Sequence, residues 1–215
     1  MTGLKIMSNK VKDIENYLDS LFPNPKTELN YNKDYEFLIA VMLSAQTKDV
    51  RVNVVTEKLF SKYKTLKELS NANIEDVEGY VRCLGNYKNK SKAVIEIAKI
   101  LDSKYDGKVI NDRCVIESLP MCGRKTCNVV LSTLFNEPCF AVDTHVFRVS
   151  KRLSLTPIDS SIKTCEEDLK KIFSKNKWSL LHLRFVLFGR YYCTSKKPNC
   201  SCCKLKKYCI YEKRD

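Results

Sequence analysis

Four cysteines near the end of the sequence are spaced so that their thiolates could surround one metal centre. Cys193, Cys200, Cys203 and Cys209 follow the pattern C-x6-C-x2-C-x5-C. Zinc ribbons usually carry two close C-x2-C pairs, whereas this segment has one close pair and wider outer spacings. An iron–sulfur cubane is larger than a single ion, so the spacing favours a cluster over zinc. Cys202 is surplus, and it is an alternative ligand to Cys203.

The remaining cysteines bear on the redox state of these thiols. The chain has 11 cysteines, an odd number, and its first residues contain no apolar run long enough for a signal peptide. Reduced thiols or a metal site are therefore expected rather than a disulfide framework. Unbound reduced thiols are a third interpretation of the C-terminal group. Most of the six scattered cysteines are expected to be small buried apolar residues: Cys83, Cys114, Cys122, Cys127, Cys139 and Cys165.

Lys125 lies in the segment LPMCGRKTCNVV at 119 to 130, where a tight turn separates two helical patterns. Pro120 cannot continue the first helix, and Gly123 permits a backbone angle closed to other residues. The second helix then begins near Arg124. The N–H groups and the positive dipole end at a helix start form a site for an anion, such as a DNA phosphate. A plain structural turn is an equally good interpretation.

The amine of Lys125 is either a solvated surface charge or a nucleophile. A lysine amine attacks only when it is neutral, and an ordinary lysine, with a pKa of about 10.4, is almost entirely protonated at neutral pH. A helix start, nearby cations and partial burial all favour the neutral amine. The second helix and Arg124 supply the first two of these influences.

Asp143 occurs in FAVDTHVFRV, between an apolar run and a helical pattern. This position predicts a helix N-cap. A capping carboxylate is fixed in place, and a fixed carboxylate could also take a proton from an amine or stabilise a sugar cation. The residues alone leave both roles open.

Helical periodicity runs through the chain and must position these residues. The segment Tyr35–Ala45 is apolar on nearly all sides, which predicts a buried central helix. No convincing alternating pattern indicates a strand. The expected architecture is all-α with about ten helices and short connections. The predicted helices cover 11–21, 35–45, 50–60, 65–70, 74–83, 90–101, 112–119, 124–135, 144–153, 164–173 and 179–191.

The composition predicts a partner of opposite charge. The formal net charge is +13 over 215 residues, with a denser basic patch at 196 to 214. Such a charge favours a polyanion, most often nucleic acid, although a lysine-rich genome composition is an alternative cause. No apolar run approaches the roughly 20 residues of a membrane span, so no membrane partner is expected.

Together these motifs resemble the endonuclease III family of DNA glycosylases. The resemblance extends from about Pro25 to Cys209, and the cysteine spacing is its most specific part. The other matching stretches are TELN at 27 to 30, FLIAVMLSAQTKDVRVN at 37 to 53, LPMCGRKTCNVV at 119 to 130, VDTHVFRV at 142 to 149 and GRYYC at 189 to 193.

The resemblance implies two helical domains flanking a DNA-binding cleft. Residues 27–137 would form a six-helix barrel domain whose helix-hairpin-helix is the 112–135 region. Residues 1–26 and 138–215 would form a helical domain with a [4Fe–4S] cluster. Cys193, Cys200, Cys203 and Cys209 would hold this cluster, and its basic loop would help to position DNA without taking part in the chemistry.

The resemblance also implies a bifunctional DNA glycosylase and AP lyase of base excision repair. Such an enzyme flips a damaged base out of the duplex. Lys125 matches the family's nucleophile, which attacks the sugar C1′ and expels the base. The resulting Schiff base allows β-elimination, which breaks the strand on the 3′ side of the lesion. Asp143 matches the carboxylate that assists the attack and stabilises the developing positive charge.

Several other residues match DNA contacts of the family. Gln46 matches a polar side chain that enters the gap left by the flipped nucleotide, although it could simply be the end of a buried helix. Gly123, Arg124, Thr126 and Asn86 are the other expected contacts. The implied partner is double-stranded DNA with oxidised pyrimidines or abasic sites, bound by a monomer. The expected location is with the genomic DNA, in the nucleus of a eukaryote or the cytoplasm of a prokaryote.

Three positions depart from the family pattern. Met121 stands where the hairpin usually has glycine, and a positive φ there would strain it by about 1–2 kcal/mol. Asn86, in LGNYKNK, stands where the family often has an apolar wedge, which leaves the lesion range open. Cys127 replaces a usual alanine and is interpreted as a packing residue.

Two alternative functions share the basic charge, the hairpin and the cysteines. One is a monofunctional glycosylase of the same fold, and the other is a non-catalytic DNA-binding module with a structural metal site. Adenine-specific relatives, and usually thymine-mismatch relatives, lack the lysine found here at Lys125. A pure binding module needs neither Lys125 nor Asp143, so this pair favours the bifunctional enzyme.

Overall fold

The computed structural model of the protein describes residues 2–211, and every regular element in that range is helical. The predicted all-α class is therefore confirmed. Residues 1 and 212–215, which the predicted domains include, lie outside the described residues, as does the end of the basic patch. The helices are α1 (Thr2–Leu21), α2 (Asp34–Leu43), α3 (Asp49–Lys62), α4 (Leu66–Ser70), α5 (Ile74–Val81), α6 (Tyr87–Tyr105), α7 (Arg113–Ser118), α8 (Arg124–Leu134), α9 (Thr144–Arg152), α10 (Ile162–Ile172) and α11 (Trp178–Tyr191).

The chain forms two compact units. The first, which we call the discontinuous unit, contains the residues up to Lys26 and those from Glu137 onward. The second, the continuous unit, is Thr27–Asn136. Helices α2–α8 belong to the continuous unit, and α1 and α9–α11 belong to the discontinuous unit. The barrel and iron–sulfur domains implied by the resemblance stay predictions.

Helix α2 is the buried helix of the continuous unit. Every residue from Tyr35 to Leu43 is buried, as the apolar pattern predicts. Its start is fixed by Glu36, whose carboxylate accepts hydrogen bonds from the main-chain N–H groups of Asn32 and Lys33 at 2.8 and 3.3 Å. Helices α3, α6 and α8 pack against it.

Helices α1, α9 and α11 enclose the core of the discontinuous unit. Leu18 and Phe185 are fully buried there. Arg184 of α11 is 7% exposed, pairs with Asp19 and donates from Nε to the carbonyl of Phe22 at 3.0 Å. This side chain therefore stabilises the C-terminal end of α1, where main-chain carbonyls lack partners within the helix.

The observed helices differ from the predicted ones in the residues at which they begin and end. Helix α1 begins at Thr2 rather than near Val11, and α6 extends beyond its predicted range on both sides.

Of the scattered cysteines, Cys83 and Cys114 are exposed and the other four are buried, as expected for most of them. None of the helices in residues 2–211 has both the length and the apolar character of a membrane span.

Candidate functional site

Helices α7 and α8 and the turn between them form the hairpin that carries Lys125. Asp112 caps α7 by accepting hydrogen bonds from two main-chain N–H groups of its first turn at 2.7 and 3.2 Å. Arg113 of α7 donates to the side-chain oxygen of buried Asn128 on α8 at 2.7 Å. The 112–135 region therefore has the helix, turn and helix that the sequence predicts.

The unusual backbone angle of this turn belongs to Met121 and not to Gly123. Met121 has a φ of 59°, and its side chain is 40% exposed. Gly123 has a φ of −81° and a ψ of −176°, which is extended backbone open to any residue. Gly123 therefore does not use the angle that glycine alone permits, because it is the N-cap of α8 and N-caps are ordinarily extended. The left-handed backbone at Met121 costs about 1–2 kcal/mol.

Gly123 leaves the start of α8 open. Apart from its chain neighbours, no described atom lies within 4 Å of the place where a Cβ would stand, and Gly123 has no side chain to cap the first turn. The N–H groups of a first helical turn have no acceptors within the helix. Arg124 and Lys125 are exposed in this turn, and no acidic residue accompanies them. The start of α8 is therefore an electropositive site suited to an anion.

The residues that follow Lys125 anchor α8 in the continuous unit. Thr126 is 8% exposed and Cys127 is fully buried. The burial of Cys127 agrees with the predicted packing role. Thr126, predicted as a DNA contact, offers mainly its main-chain N–H, since its side chain is buried.

Gln46 and Asn86 lie in two turns of the continuous unit, and both have left-handed backbones. Gln46 is exposed in the turn between α2 and α3, with a φ of 56°. It follows the end of α2, so the alternative of a buried helix end is wrong. Asn86 is the exposed N-cap of α6, with a φ of 59°. Non-glycine residues in this conformation concentrate at functional loops, and asparagine tolerates it better than glutamine or methionine.

Lys90 of α6 contacts the Gln46 turn, and no sequence signal marked it. Its side chain is 1% exposed. Its Nζ donates to the carbonyl of Ala45 at 2.9 Å and to Oγ1 of Thr47 at 3.1 Å. Burial lowers the pKa of Lys90. Lysines on amphipathic helices are usually solvated, so only the folded structure reveals this contact.

Asp143 is the N-cap of α9 in the discontinuous unit. Its carboxylate accepts a hydrogen bond from the main-chain N–H of Val146 at 2.8 Å, which confirms the predicted cap. The preceding backbone is also fixed, because Nδ1 of buried His182 lies 2.7 Å from the carbonyl oxygen of Ala141. The half-buried carboxylate of Asp143 is thus held by its own cap bond, and the backbone two residues before it is anchored by His182.

Gly189, in the GRYYC stretch, allows α11 to approach α9 closely. A Cβ at this position would lie 2.8 Å from the Cβ of His145 and 3.2 Å from its carbonyl oxygen. The second atom belongs to the backbone, which cannot rotate away. Glycine is therefore required where α11 passes the helix that begins at Asp143.

The four predicted cysteine ligands line one cavity in the discontinuous unit. Cys193, Cys200, Cys203 and Cys209 all line this cavity, together with Phe188 and Tyr192. Cys202 is exposed and is not part of the lining, so the alternative with Cys202 as ligand is not supported. Within residues 2–211, no three Cys, His, Asp or Glu side chains lie close enough to hold a single metal ion. Four thiols around a common cavity are a donor set that fits an iron–sulfur cluster.

Arg152 of α9 supplies positive charge beside these cysteines. Its guanidinium donates to Sγ of Cys193 at 3.2 Å and to the carbonyls of Thr194 and Ser195 at 2.7 and 3.0 Å. Its side chain is 8% exposed. Helix α9 therefore carries Asp143 at one end and a contact to the cysteine loop at the other.

The class of protein follows from the fold together with a family comparison. Residues 39–175 match the family model described as HhH-GPD superfamily base excision DNA repair protein. The matched range contains the α7–α8 hairpin, Lys125 and Asp143. The all-α chain is thus a base excision DNA repair protein of the helix-hairpin-helix type.

Individual relatives define the family more closely. Endonuclease III of Rickettsia felis is 42% identical over 189 residues, which are 88% of this chain and 88% of that protein. The structure of a trapped endonuclease III–DNA covalent intermediate is 39% identical, with a TM-score of 0.91 over 99% of this chain and 98% of the other. The structure of a non-covalent endonuclease III–DNA complex is 40% identical, with a TM-score of 0.90 over 99% of this chain and 97% of the other. The chain belongs to the endonuclease III family.

Proposed function

We propose that this protein, a bifunctional DNA glycosylase and AP lyase of base excision repair, removes oxidised pyrimidines from duplex DNA through a Schiff base on Lys125. The observation that carries the proposal is Lys125 itself, exposed in the first turn of α8 behind an uncapped hairpin. A solved relative is described as a trapped covalent intermediate with DNA, and we extend the covalent step to this chain.

The reaction begins with attack by the neutral amine of Lys125. A bond forms between Nζ and C1′ of the flipped nucleotide, and the glycosidic bond breaks with its electron pair leaving on the base. Loss of a proton from nitrogen and opening of the sugar give a Schiff base. Removal of the C2′ proton then expels the 3′ phosphate oxygen, which breaks the strand on the 3′ side of the lesion.

Asp143 is proposed as the carboxylate that supports this reaction. Its side chain is held by the α9 N-cap hydrogen bond and remains partly exposed. A carboxylate fixed in this way can accept a proton from the attacking amine and stabilise positive charge on the sugar. Capping and catalysis are compatible, because a cap engages one carboxylate oxygen here and leaves the other available.

The hairpin and two turns of the continuous unit are proposed to hold the DNA. The start of α8, at Gly123, Arg124 and Thr126, would bind a phosphate through main-chain N–H groups and positive charge. Gln46 would occupy the space left by the flipped nucleotide. Asn86 would stand at the wedge position, where a polar amide can hydrogen-bond to the exposed partner base but separates stacked bases less strongly than an apolar side chain.

The cysteine-lined cavity is proposed to hold a [4Fe–4S] cluster. Cys193, Cys200, Cys203 and Cys209 would be its ligands. The bound cluster would supply structural support for the C-terminal loop. That loop carries exposed Lys204, which would contact phosphates and make binding salt-dependent. The substrate is proposed to be duplex DNA bound by a monomer at the site of the genomic DNA.

Borohydride trapping tests the proposed chemistry directly. Purified protein is mixed with a duplex that carries one thymine glycol or one abasic site, and the Schiff base is reduced to a stable adduct. We expect a covalent protein–DNA adduct with the wild-type protein and none with Lys125→Ala. Lys125 is exposed, so its replacement should leave the far-UV circular dichroism unchanged.

A matched control separates general charge loss from loss of the nucleophile. Arg124→Ala removes an exposed cation from the same turn and should weaken DNA binding while still allowing the adduct at saturating protein. Base release without an adduct by the wild-type protein would instead support a monofunctional glycosylase. DNA binding without either reaction would support a non-catalytic module.

A further inference from the structure

Lys90 is a buried cation placed between two turns of the continuous unit. Its side chain is 1% exposed, although it projects from α6, whose other lysines are mostly in contact with solvent. Burying an ammonium group is costly unless hydrogen bonds replace its water. Two oxygens of a single turn provide that replacement, the carbonyl of Ala45 and the hydroxyl of Thr47.

These two oxygens belong to the residues on either side of Gln46. The turn itself is closed by only two local main-chain hydrogen bonds, from the N–H of Ala45 to the carbonyl of Met42 at 3.3 Å and from the N–H of Thr47 to that of Ser44 at 3.0 Å. Gln46 has a φ of 56°, which costs a non-glycine residue about 1–2 kcal/mol. A turn with such strain keeps its shape only when the surrounding structure holds it.

Lys90 is connected to the second turn through its own backbone. Its N–H donates to the carbonyl of Asn86 at 3.1 Å, in the first turn of α6. Asn86 has a φ of 59°. One residue therefore bonds by its main chain to the Asn86 turn and by its side chain to the Gln46 turn.

We propose that Lys90 is a positioning residue that holds the Gln46 turn against the start of α6, so that Gln46 and Asn86 engage DNA as one preorganised unit. The inference rests on the proposed function, in which both side chains contact DNA. Lys90 itself is buried and does not touch the substrate. It acts by fixing where Gln46 points, which matters because misplacing a contact group by about 1 Å can slow catalysis about 100-fold.

The first test replaces Lys90 with methionine, which keeps a long apolar stem and removes the donors. Single-turnover excision of thymine glycol from a duplex should slow about 10- to 100-fold. Trapping on a single-stranded abasic oligonucleotide should stay within about twofold of wild type, because no opposite strand is present for Gln46 to meet and the Lys125 chemistry is intact. Lys10→Met is the matched control. Lys10 is also buried, and its Nζ donates to the carbonyl of Ser154 in the discontinuous unit at 3.0 Å.

A double-mutant cycle shows whether Lys90 acts through Gln46. Gln46→Ala alone should slow duplex excision, and adding Lys90→Met to it should cause little further loss, since the side chain to be positioned is already absent. Thr47→Val removes one acceptor while leaving Lys90 in place, and it should give a smaller loss in the same direction. This variant keeps the test decisive even if Lys90→Met folds poorly.

A fluorescent base reports the positioning itself. 2-Aminopurine is placed opposite a tetrahydrofuran abasic analogue, and its emission changes when a side chain enters the gap. At saturating protein, the wild type and Lys10→Met should give the full change in 2-aminopurine emission, and Lys90→Met should give a smaller change. Equal rates of duplex excision by Lys90→Met and Lys10→Met would overturn the inference. Additive losses of rate for Lys90→Met and Gln46→Ala in the double-mutant cycle would also overturn it, and so would an equal loss of trapping on the single-stranded oligonucleotide by Lys90→Met. Absence of excision and trapping by the wild type would instead overturn the proposed function.

Discussion

Replacing Met121 with glycine is expected to stabilise the protein. Met121 has a φ of 59°, in the region where an L-residue is strained by about 1–2 kcal/mol and glycine is not. Glycine also gives the unfolded chain more freedom, which costs about 0.4–1 kcal/mol. The difference leaves a net gain of about 0.5–1 kcal/mol in the free energy of unfolding.

The comparison must remove the effect of the lost methionine side chain. Met121 is 40% exposed, so some packing is lost in any truncation. Met121→Ala loses the same packing beyond Cβ but keeps the strain. We therefore expect Met121→Gly to be more stable than Met121→Ala by about 0.5–1 kcal/mol in equilibrium urea unfolding, with equal slopes for the two variants.

Gly123 provides an internal control, because its backbone is not strained. Its φ of −81° is open to alanine, and no atom lies within 4 Å of the added Cβ. Alanine restricts the unfolded chain but is a poorer N-cap than glycine, so Gly123→Ala should change the free energy of unfolding by less than about 1 kcal/mol. If Met121→Gly were less stable than Met121→Ala, or if Gly123→Ala were strongly destabilising, the assignment of the left-handed residue in this hairpin would be refuted.

Three further predictions concern other parts of the chain. Asp143→Asn should retain stability, because an amide oxygen still caps α9, but should slow single-turnover excision about 100-fold or more, whereas Asp143→Ala should also lose about 1 kcal/mol of stability in urea unfolding. Gly189→Ala should destabilise the protein by about 1–3 kcal/mol, because its Cβ would meet His145 at 2.8 Å. Desolvation, and to a smaller extent the hydrogen bond to Asp76, raises the pKa of Tyr63 from 10.0 to about 12. The stability that the neutral phenol contributes is therefore complete below pH 10.0 and is lost as the pH rises through about 12. Tyr63→Phe should flatten alkaline unfolding over that range.

Each of these predictions has a contrary outcome. Equal activity of Asp143→Asn and wild type would limit Asp143 to capping. Full stability of Gly189→Ala would mean that α9 and α11 can separate without cost. For the alkaline transition, the same pH dependence of the free energy of unfolding in Tyr63→Phe and wild type would show that the pKa of Tyr63 does not differ between the folded and unfolded states.

Local chemistry explains which elements the sequence could predict. The starts of α7 and α9 follow from Asp112 and Asp143, whose side chains cap the helices that they precede. The buried helix α2 follows from an apolar run that no exposed helix would carry. The four proposed cysteine ligands were identified by their spacing, and the structure places all four around one cavity.

Tertiary contacts explain what the sequence could not predict. A glycine after a proline suggests a special backbone angle, but the chain reverses at Met121, whose strain is offset by the packing of the hairpin helices. Gln46 has no local signal for a left-handed turn, because Lys90, far along the chain, holds the residues beside it. Lys90 looks like any solvated lysine of an amphipathic helix until α6 is packed against the end of α2.

The division of the discontinuous unit between the two ends of the chain sets an order of events during synthesis. Arg184, which holds the C-terminal end of α1, is 165 residues away from its partner Asp19. The whole of Thr27–Asn136 leaves the ribosome before α9 and α11 exist, so the continuous unit can fold first. Helix α1 must wait, with one apolar face uncovered, until α9 and α11 have been made. We expect the nascent chain to need chaperone protection over this interval, and the cysteine loop, made after α11, to close around the proposed cluster only after α1 has docked.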